Sequence, residues 1–196
     1  MCPRSCYDER APATTFQRKT LDFEKVLMTI VKYFEREGVK FAVIGAFALH
    51  AYGRSRLTQD LDFVTEAAGQ AALIAYLESL GYQTLHCSEG YSNHLHSDSA
   101  MGRVDFVYLR GETRRKIFET QGATLKLGNL SIPVPRPEHL VAMKVQAMKN
   151  DPSRTLQELA DIGFLLHLPG IDQEEVRKYF EEGGLLNSYE EIRKRT

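Results

Sequence analysis

The 196-residue sequence has no tryptophan, three cysteines, seven prolines and almost no excess of either charge, with 25 Lys+Arg against 26 Asp+Glu. Each shortage excludes something. A formal net charge of −1 removes the basic surplus that a general nucleic-acid coat needs, and leaves only local basic patches open. Cys2, Cys6 and Cys87 are odd in number and lack paired spacing, so reduced thiols in a cytoplasm are expected rather than a disulfide framework. Cys2-x3-Cys6 has no histidine nearby to complete a metal site. The longest apolar run, Phe41–Leu49, has nine residues and contains Gly45, against the about 20 that span a bilayer. No charged start followed by an apolar core opens the chain, so neither a signal peptide nor a membrane partner is expected. The phosphate-loop pattern G-x4-G-K-[ST] does not occur. The 43% apolar and 26% charged fractions that remain are those of an ordinary globular chain, long enough for one buried core and a small helical addition.

Periodicity supplies the elements. Residues 1–19 carry two prolines and no pattern, which reads as a flexible N-terminal arm. Phe23, Val26, Leu27, Ile30, Val31 and Phe34 then recur at helical spacing, with Gly38 as the stop. A short strand over Lys40–Ile44, a short helix over Ala46–Tyr52 and a cleanly alternating strand over Gln59–Thr65 follow. Leu73, Ile74, Leu77 and Leu80 predict the next helix; Tyr82–Leu109 reads as strands, clearest over Arg103–Leu109; Gly111–Thr120 is a short helix. Gly128-Asn129 between two short β-like runs signals a hairpin. After Pro133, Pro135 and Pro137 the pattern turns helical: Glu138–Lys149, Ser153–His167, Asp172–Glu182 opened by an Asp172/Glu175 capping pair, and a last helix near Ser188. The expected division is an arm at 1–19, an α/β region at 20–134 and a helical region at 135–196.

The chemistry concentrates in Val43–Phe63. Asp60 and Asp62 lie two apart on a strand, so both carboxylates share one face. Like charges that close disfavour each other's ionisation, and the pair is tolerated when exposed or bridged by a cation. Hard oxygen ligands suit Mg²⁺ or Mn²⁺. Asp105, in the same apolar-Asp-apolar pattern on a second strand, would complete a two-metal site. Upstream, Gly45-Ala46 joins a strand to a short helix, where backbone N–H groups can approach a phosphate. Arg56 and Thr58 complete the run Arg-x-Thr-x-Asp-x-Asp.

Taken together, these residues resemble the minimal nucleotidyltransferases of the DNA polymerase β superfamily, whose motif is an apolar residue, Gly, Gly or Ser, a gap, Asp-x-Asp/Glu and a later lone carboxylate. Ala46 stands at the Gly/Ser position. The resemblance spans about residues 25–170. The run from Pro135 to Ile162 is similar to the helical part of the abortive-infection, type IV toxin branch. It implies a nucleotidyltransferase fold of α+β class: a small mixed sheet flanked by helices, with a C-terminal helical bundle. It also implies Asp60, Asp62 and Asp105 as catalytic metal ligands, and Gly45, Ala46, Arg56 and Thr58 at the nucleotide. Lys144, with Glu158 and Asp161 from the next helix, would approach the nucleotide too; Glu158 stands where many relatives carry Asp. The implied reaction moves a nucleoside monophosphate from an NTP to an acceptor hydroxyl, with Mg²⁺ or Mn²⁺ as cofactor. The acceptor is open between tRNA, a protein side chain and a small molecule, and the toxin branch adds a cognate antitoxin as partner. The alternative is a catalytically silent nucleotide- or partner-binding module on the same fold, for which Ala46 speaks.

Plainer readings stand beside these. Asp105 can simply pair with Arg103 along its strand. Lys144 shares a flank with Leu140, Val141 and Met148 and can lay its stem over the core. Glu158 and Asp161 lie off a Leu156/Leu159/Leu166 stripe, as a solvated face would. His94 and His96 share a strand face as a metal pair would. Arg110, Arg114, Arg115 and Lys116 form a basic cluster that could grip RNA or simply meet solvent. His50, on a short apolar helix, reads as a satisfied core histidine.

Overall fold

The computed structural model describes residues 21–120 and 122–194, so the expected arm at 1–19 lies outside the described residues. Helix α1 (Phe23–Glu37) starts where the Asp22 carboxylate accepts the Lys25 N–H at 3.0 Å, and stops at Gly38, whose φ of 65° suits glycine. Strand β1 (Phe41–Val43) turns at Gly45 into α2 (Gly45–Ala51), and β2 (Asp60–Glu66) follows. A single 3₁₀ turn leads to α3 (Gln70–Ser79), then β3 (Tyr82–Cys87), β4 (Tyr91–His96), β5 (Arg103–Leu109) and α4 (Gly111–Glu119). The hairpin β6 (Thr124–Leu127) and β7 (Leu130–Pro133) precedes four helices: α5 (Pro137–Asn150), α6 (Thr155–Leu166), α7 (Gln173–Glu182) and α8 (Leu186–Arg193).

The main sheet runs in the order β1-β2-β5-β4-β3. Only β2 and β5 are parallel, and their register sets Asp62 opposite Asp105 and Asp60 opposite Arg103. Alternation sends Leu61, Phe63, Val104 and Phe106 into the large core with Leu27, Phe34, Leu73 and Leu77 of α1 and α3. Phe63 and Phe106 stack there at 5.5 Å. On the other face Ala42, Val64 and Leu109 are closed by Ile117 of α4, with Met143 of α5 against them. That lid covers the C-terminal halves of β2 and β5, and the aspartates lie beyond it on the N-terminal halves, Asp105 buried and Asp60 and Asp62 half-buried.

The helical region joins the large core through Leu140, Val141, Val145, Ile162, Leu165, Val176, Phe180 and Tyr189. Tyr52 ties α2 to its entrance, donating to the Pro135 carbonyl at 2.8 Å and accepting the Ala123 N–H at 3.0 Å.

Two expectations change. On α6, Leu156 is 85% exposed while Leu166, Glu158 and Asp161 are 8%, 2% and 1% exposed, so only Leu159 and Leu166 of the leucine stripe meet the core and the two carboxylates turn inward beside them. The cause lies on α5, where Lys144 is buried and draws both carboxylates inward. The Asp172/Glu175 capping pair is half made. Asp172 accepts the Glu174 and Glu175 N–H groups, but its own N–H donates to Glu138 at 2.8 Å, while Glu175 accepts the Tyr179 hydroxyl.

Candidate active site

Alternation on two parallel strands and one glycine turn build the site. Asp60, Asp62 and Asp105 each offer an oxygen within 4.8 Å of the others, and no other group of three or more such ligands occurs among the described residues. The turn lies against Asp62. The Ile44 N–H donates to the Asp62 carbonyl at 2.9 Å, and a Cβ on Gly45 would stand 2.1 Å from Asp62 Oδ2. With φ of 60° as well, position 45 admits glycine alone.

The three carboxylates are held differently. Asp60 Oδ1 accepts the Thr58 hydroxyl at 2.5 Å. Asp105 is the most engaged: Arg103 donates Nε to Oδ1 and Nη2 to Oδ2, both at 2.8 Å, and the Tyr91 hydroxyl donates to Oδ2 at 2.6 Å. Pairing of Asp105 with Arg103 and membership of the aspartate cluster thus hold together. Burial, with the adjoining Asp105 carboxylate, pushes the Tyr91 phenol up to about 12. For Asp62, burial and then the neighbouring charges of Asp60 and Asp105 push the carboxyl up to about 7, partly offset by Arg154 and Arg56.

Those two arginines belong to a second cluster. Lys144 Nζ donates to Glu158 at 2.8 Å and to Asp161 at 2.6 Å, with all three side chains buried. Around them Arg154 pairs with Glu158 at 2.7 Å, while Arg56 and Arg54 approach Asp161 at 3.4 and 3.7 Å. Arg54 also donates to the Ala160 carbonyl at 2.9 Å. Lys144, Glu158, Asp161 and Arg56 are therefore brought together, and neither the core-covering lysine nor the solvated acidic face describes them. Ala46 is buried in the first turn of α2. Arg54, Arg154 and Tyr91 are additions. Arg154 had a signal, four residues before Glu158 on one helix; Tyr91 had none, since its place depends on strand register.

The remaining candidates resolve locally. All four ring nitrogens of His94 and His96 are hydrogen-bonded, to Ser92, Thr84, the Leu80 carbonyl and the Asp98 N–H, which leaves none for a metal. Arg110, Arg114 and Arg115 pair with Glu89, Glu66 and Glu112. His50 is exposed and bonded to Ser55, not a core residue.

No protein-family model matches the sequence, and no curated protein matches it. Solved structures do match in shape. The antibiotic-resistance factor ANT(2″)-Ia superposes with a TM-score of 0.54 at 13% identity, over 88% of this chain and 89% of that one. A nucleotidyltransferase-like protein from Paracoccidioides brasiliensis gives 0.54 at 12% identity, over 82% and 86%. The lincosamide antibiotic adenylyltransferase LnuA gives 0.50 at 17% identity, over 76% and 99%. Identities this low speak for architecture alone, and the architecture is the nucleotidyltransferase fold.

Proposed function

We propose that this chain is a metal-dependent nucleotidyltransferase that moves a nucleoside monophosphate from an NTP to an acceptor hydroxyl and releases pyrophosphate. The observation that carries the reading is the convergence of Asp60, Asp62 and Asp105 within 4.8 Å, against a turn where Gly45 has no room for a side chain. The donor set is all hard oxygen and fits Mg²⁺ or Mn²⁺; burial and then the charges of Asp60 and Asp105 raise Asp62, and a divalent cation would relieve the repulsion. When bound, such an ion supplies Lewis-acid stabilisation of the transferring phosphoryl group and lowers the pKa of the attacking hydroxyl.

The chain's own part is positioning and charge. Asp60 and Asp62 would hold a cation on the nucleotide side, with Thr58 fixing the Asp60 rotamer. Asp105 would serve the acceptor side as a cation ligand, its carboxylate held in place by Arg103 and Tyr91. The Gly45 and Ala46 N–H groups, with Arg56 and Arg154, face the triphosphate. Lys144 is spent on Glu158 and Asp161, so these three act on the nucleotide through the arginines they hold.

For the acceptor, the shared fold supports a small molecule: one ANT(2″)-Ia structure contains adenylyl-2″-tobramycin and one LnuA structure contains lincomycin. A tRNA end or protein side chain, and a toxin role with a cognate antitoxin in the cytoplasm, rest on the sequence resemblance. A second reading, the silent binding module, is favoured by one observation: both Asp105 oxygens are occupied by Arg103.

One experiment separates these readings. Each labelled NTP is incubated with Mg²⁺ and either total tRNA, tobramycin, lincomycin or a fractionated bacterial lysate. Pyrophosphate release and label transfer by the wild type, lost in Asp62→Asn, support the enzyme. NTP- and Mn²⁺-dependent thermal stabilisation without any transfer supports the silent module. Absence of both effects overturns the nucleotide site.

A further inference from the structure

We propose that Arg103 is an internal counter-ion for Asp105 that yields to a divalent cation by moving onto Asn93, so that the acceptor-side half of the metal site fills last. This rests on the nucleotidyltransferase reading and adds an order of assembly to it.

The three aspartates are unequal before any cation arrives. An ionised carboxylate offers about four lone-pair positions on its two oxygens. On Asp105 three of them are taken, by Arg103 Nε, Arg103 Nη2 and the Tyr91 hydroxyl. Asp60 accepts only the Thr58 hydroxyl at its carboxylate, and Asp62 receives no donor there among the described residues. One side of the site is thus open, and the other already holds a cation belonging to the chain. A divalent ion on Asp105 would meet the guanidinium at close range, where like charges repel.

Arg103 is held by hydrogen bonds to Asp105 and, at 3.3 Å, to the Tyr91 hydroxyl rather than by packing, and has somewhere to go. Its side chain is 40% exposed, so packing does not lock it. Asn93 Oδ1 is buried without a hydrogen-bond partner, a condition that few buried polar atoms show. In the antiparallel pairing of β4 and β5, Asn93 stands directly opposite Asp105, and Leu95 opposite Arg103. Asn93 is therefore the diagonal neighbour of Arg103, about 7–8 Å away along the sheet and within reach of a long side chain. The two share a face, because Ser92 and His94, which alternate with Asn93, are buried against Tyr108 and Phe106 on the other. The unpartnered amide oxygen is the acceptor that the guanidinium would use once displaced. From there its charge still acts on the site without covering the Asp105 oxygens.

The test titrates the full-length protein with Mn²⁺, following free ion by electron paramagnetic resonance, and needs no turnover. Wild type should show one site at least about tenfold tighter than a second, since outer-shell partners move metal affinity by about 10–100-fold. Arg103→Met should tighten the weaker site by about tenfold and leave the stronger unchanged, whereas Asn93→Leu should weaken the weaker site further. Should Arg103→Met fail to fold, Arg103→Lys keeps the stem and charge without the fork, and should tighten the weaker site by a smaller factor. A weaker site that is unchanged or loosened in the Arg103 variants overturns the inference, because Arg103 is then an ordinary orienting partner. No Mn²⁺ binding in any form overturns the metal reading itself.

Discussion

Asp62 gives the metal-free protein an unusual pH dependence of stability. Burial and the charges of Asp60 and Asp105 push its carboxyl up to about 7, against about 3.9 in an unfolded chain. Between those values the folded state binds more protons than the unfolded state. The contribution of this group is therefore fully present below about pH 4 and is lost as the pH rises through 7. At about 1.4 kcal/mol per pK unit, the ionised Asp62 costs at most about 4 kcal/mol, and about 2–3 once partial solvent contact is allowed for. Asp62→Asn removes the charge at nearly constant volume. In EDTA at pH 8, urea unfolding should find the variant about 2–3 kcal/mol more stable, with a melting temperature higher by about 4–12 °C. At pH 5 the gap should shrink by more than half, because the folded wild type is then protonated. Saturating Mn²⁺ should reverse the order by stabilising the wild type alone. A variant no more stable than wild type at pH 8, or a gap that widens toward pH 5, would refute the reasoning and make Asp62 a structural acceptor.

Four further outcomes follow from the geometry. Lys144→Met strands two buried carboxylates and should cost about 3 kcal/mol in urea unfolding, the low end for a broken buried pair because three arginines remain nearby. Replacing Lys144, Glu158 and Asp161 together by Met, Met and Leu should restore stability to within about 1 kcal/mol of wild type, yet lower NTP affinity in calorimetric titration; retained affinity would free the arginines from any need of these three. Gly45→Ala places a methyl group on the Asp62 carboxylate and should lower Mn²⁺ affinity by at least about tenfold, so an unchanged Mn²⁺ titration would detach the turn from the site. Arg154→Ala, at a position 54% exposed, should weaken NTP binding about tenfold at low salt and less at high salt, with little change in melting temperature.

The sequence was legible where a local rule suffices. The helices α1, α2 and α3 and the strands around the aspartates follow from apolar spacing, and Asp60 and Asp62 share a face because strand alternation demands it. That Asp105 joins them depends on β2 and β5 pairing in parallel across the two strands between them in the chain. No local pattern carries that pairing; the resemblance supplied it. The inward face of α6 is legible only in part, since Leu159 and Leu166 do meet the core. Counting apolar residues favoured Leu156, which is exposed, over Glu158 and Asp161, which are buried. The partner that decides the matter, Lys144, sits 14 and 17 residues away on α5. Tyr91 and Asn93 were invisible for a similar reason, since their nearness to Asp105 is a matter of cross-strand register.

That buried lysine is better explained by position than by stability. Two carboxylates and one ammonium removed from water gain little over well-packed apolar residues, because desolvation offsets their attraction. Their external contacts are more informative. Glu158 holds Arg154, and Asp161 stands beside Arg56 and Arg54, so buried anchors fix arginines, of which Arg154 and Arg56 carry their charge to Asp62. Four cations around two carboxylates leave a positive surplus. Three aspartates around Arg103 leave a negative one. The two surpluses lie side by side, set by rigid helices and strands before any ligand arrives. A polyphosphate chelating a divalent ion is the kind of ligand that satisfies both at once, with its oxygens toward the arginines and its metal toward the aspartates. If the proposed transfer takes place here, the charge of the anchored arginines would need no rearrangement as the phosphoryl group moves, which is where electrostatic catalysis gains most.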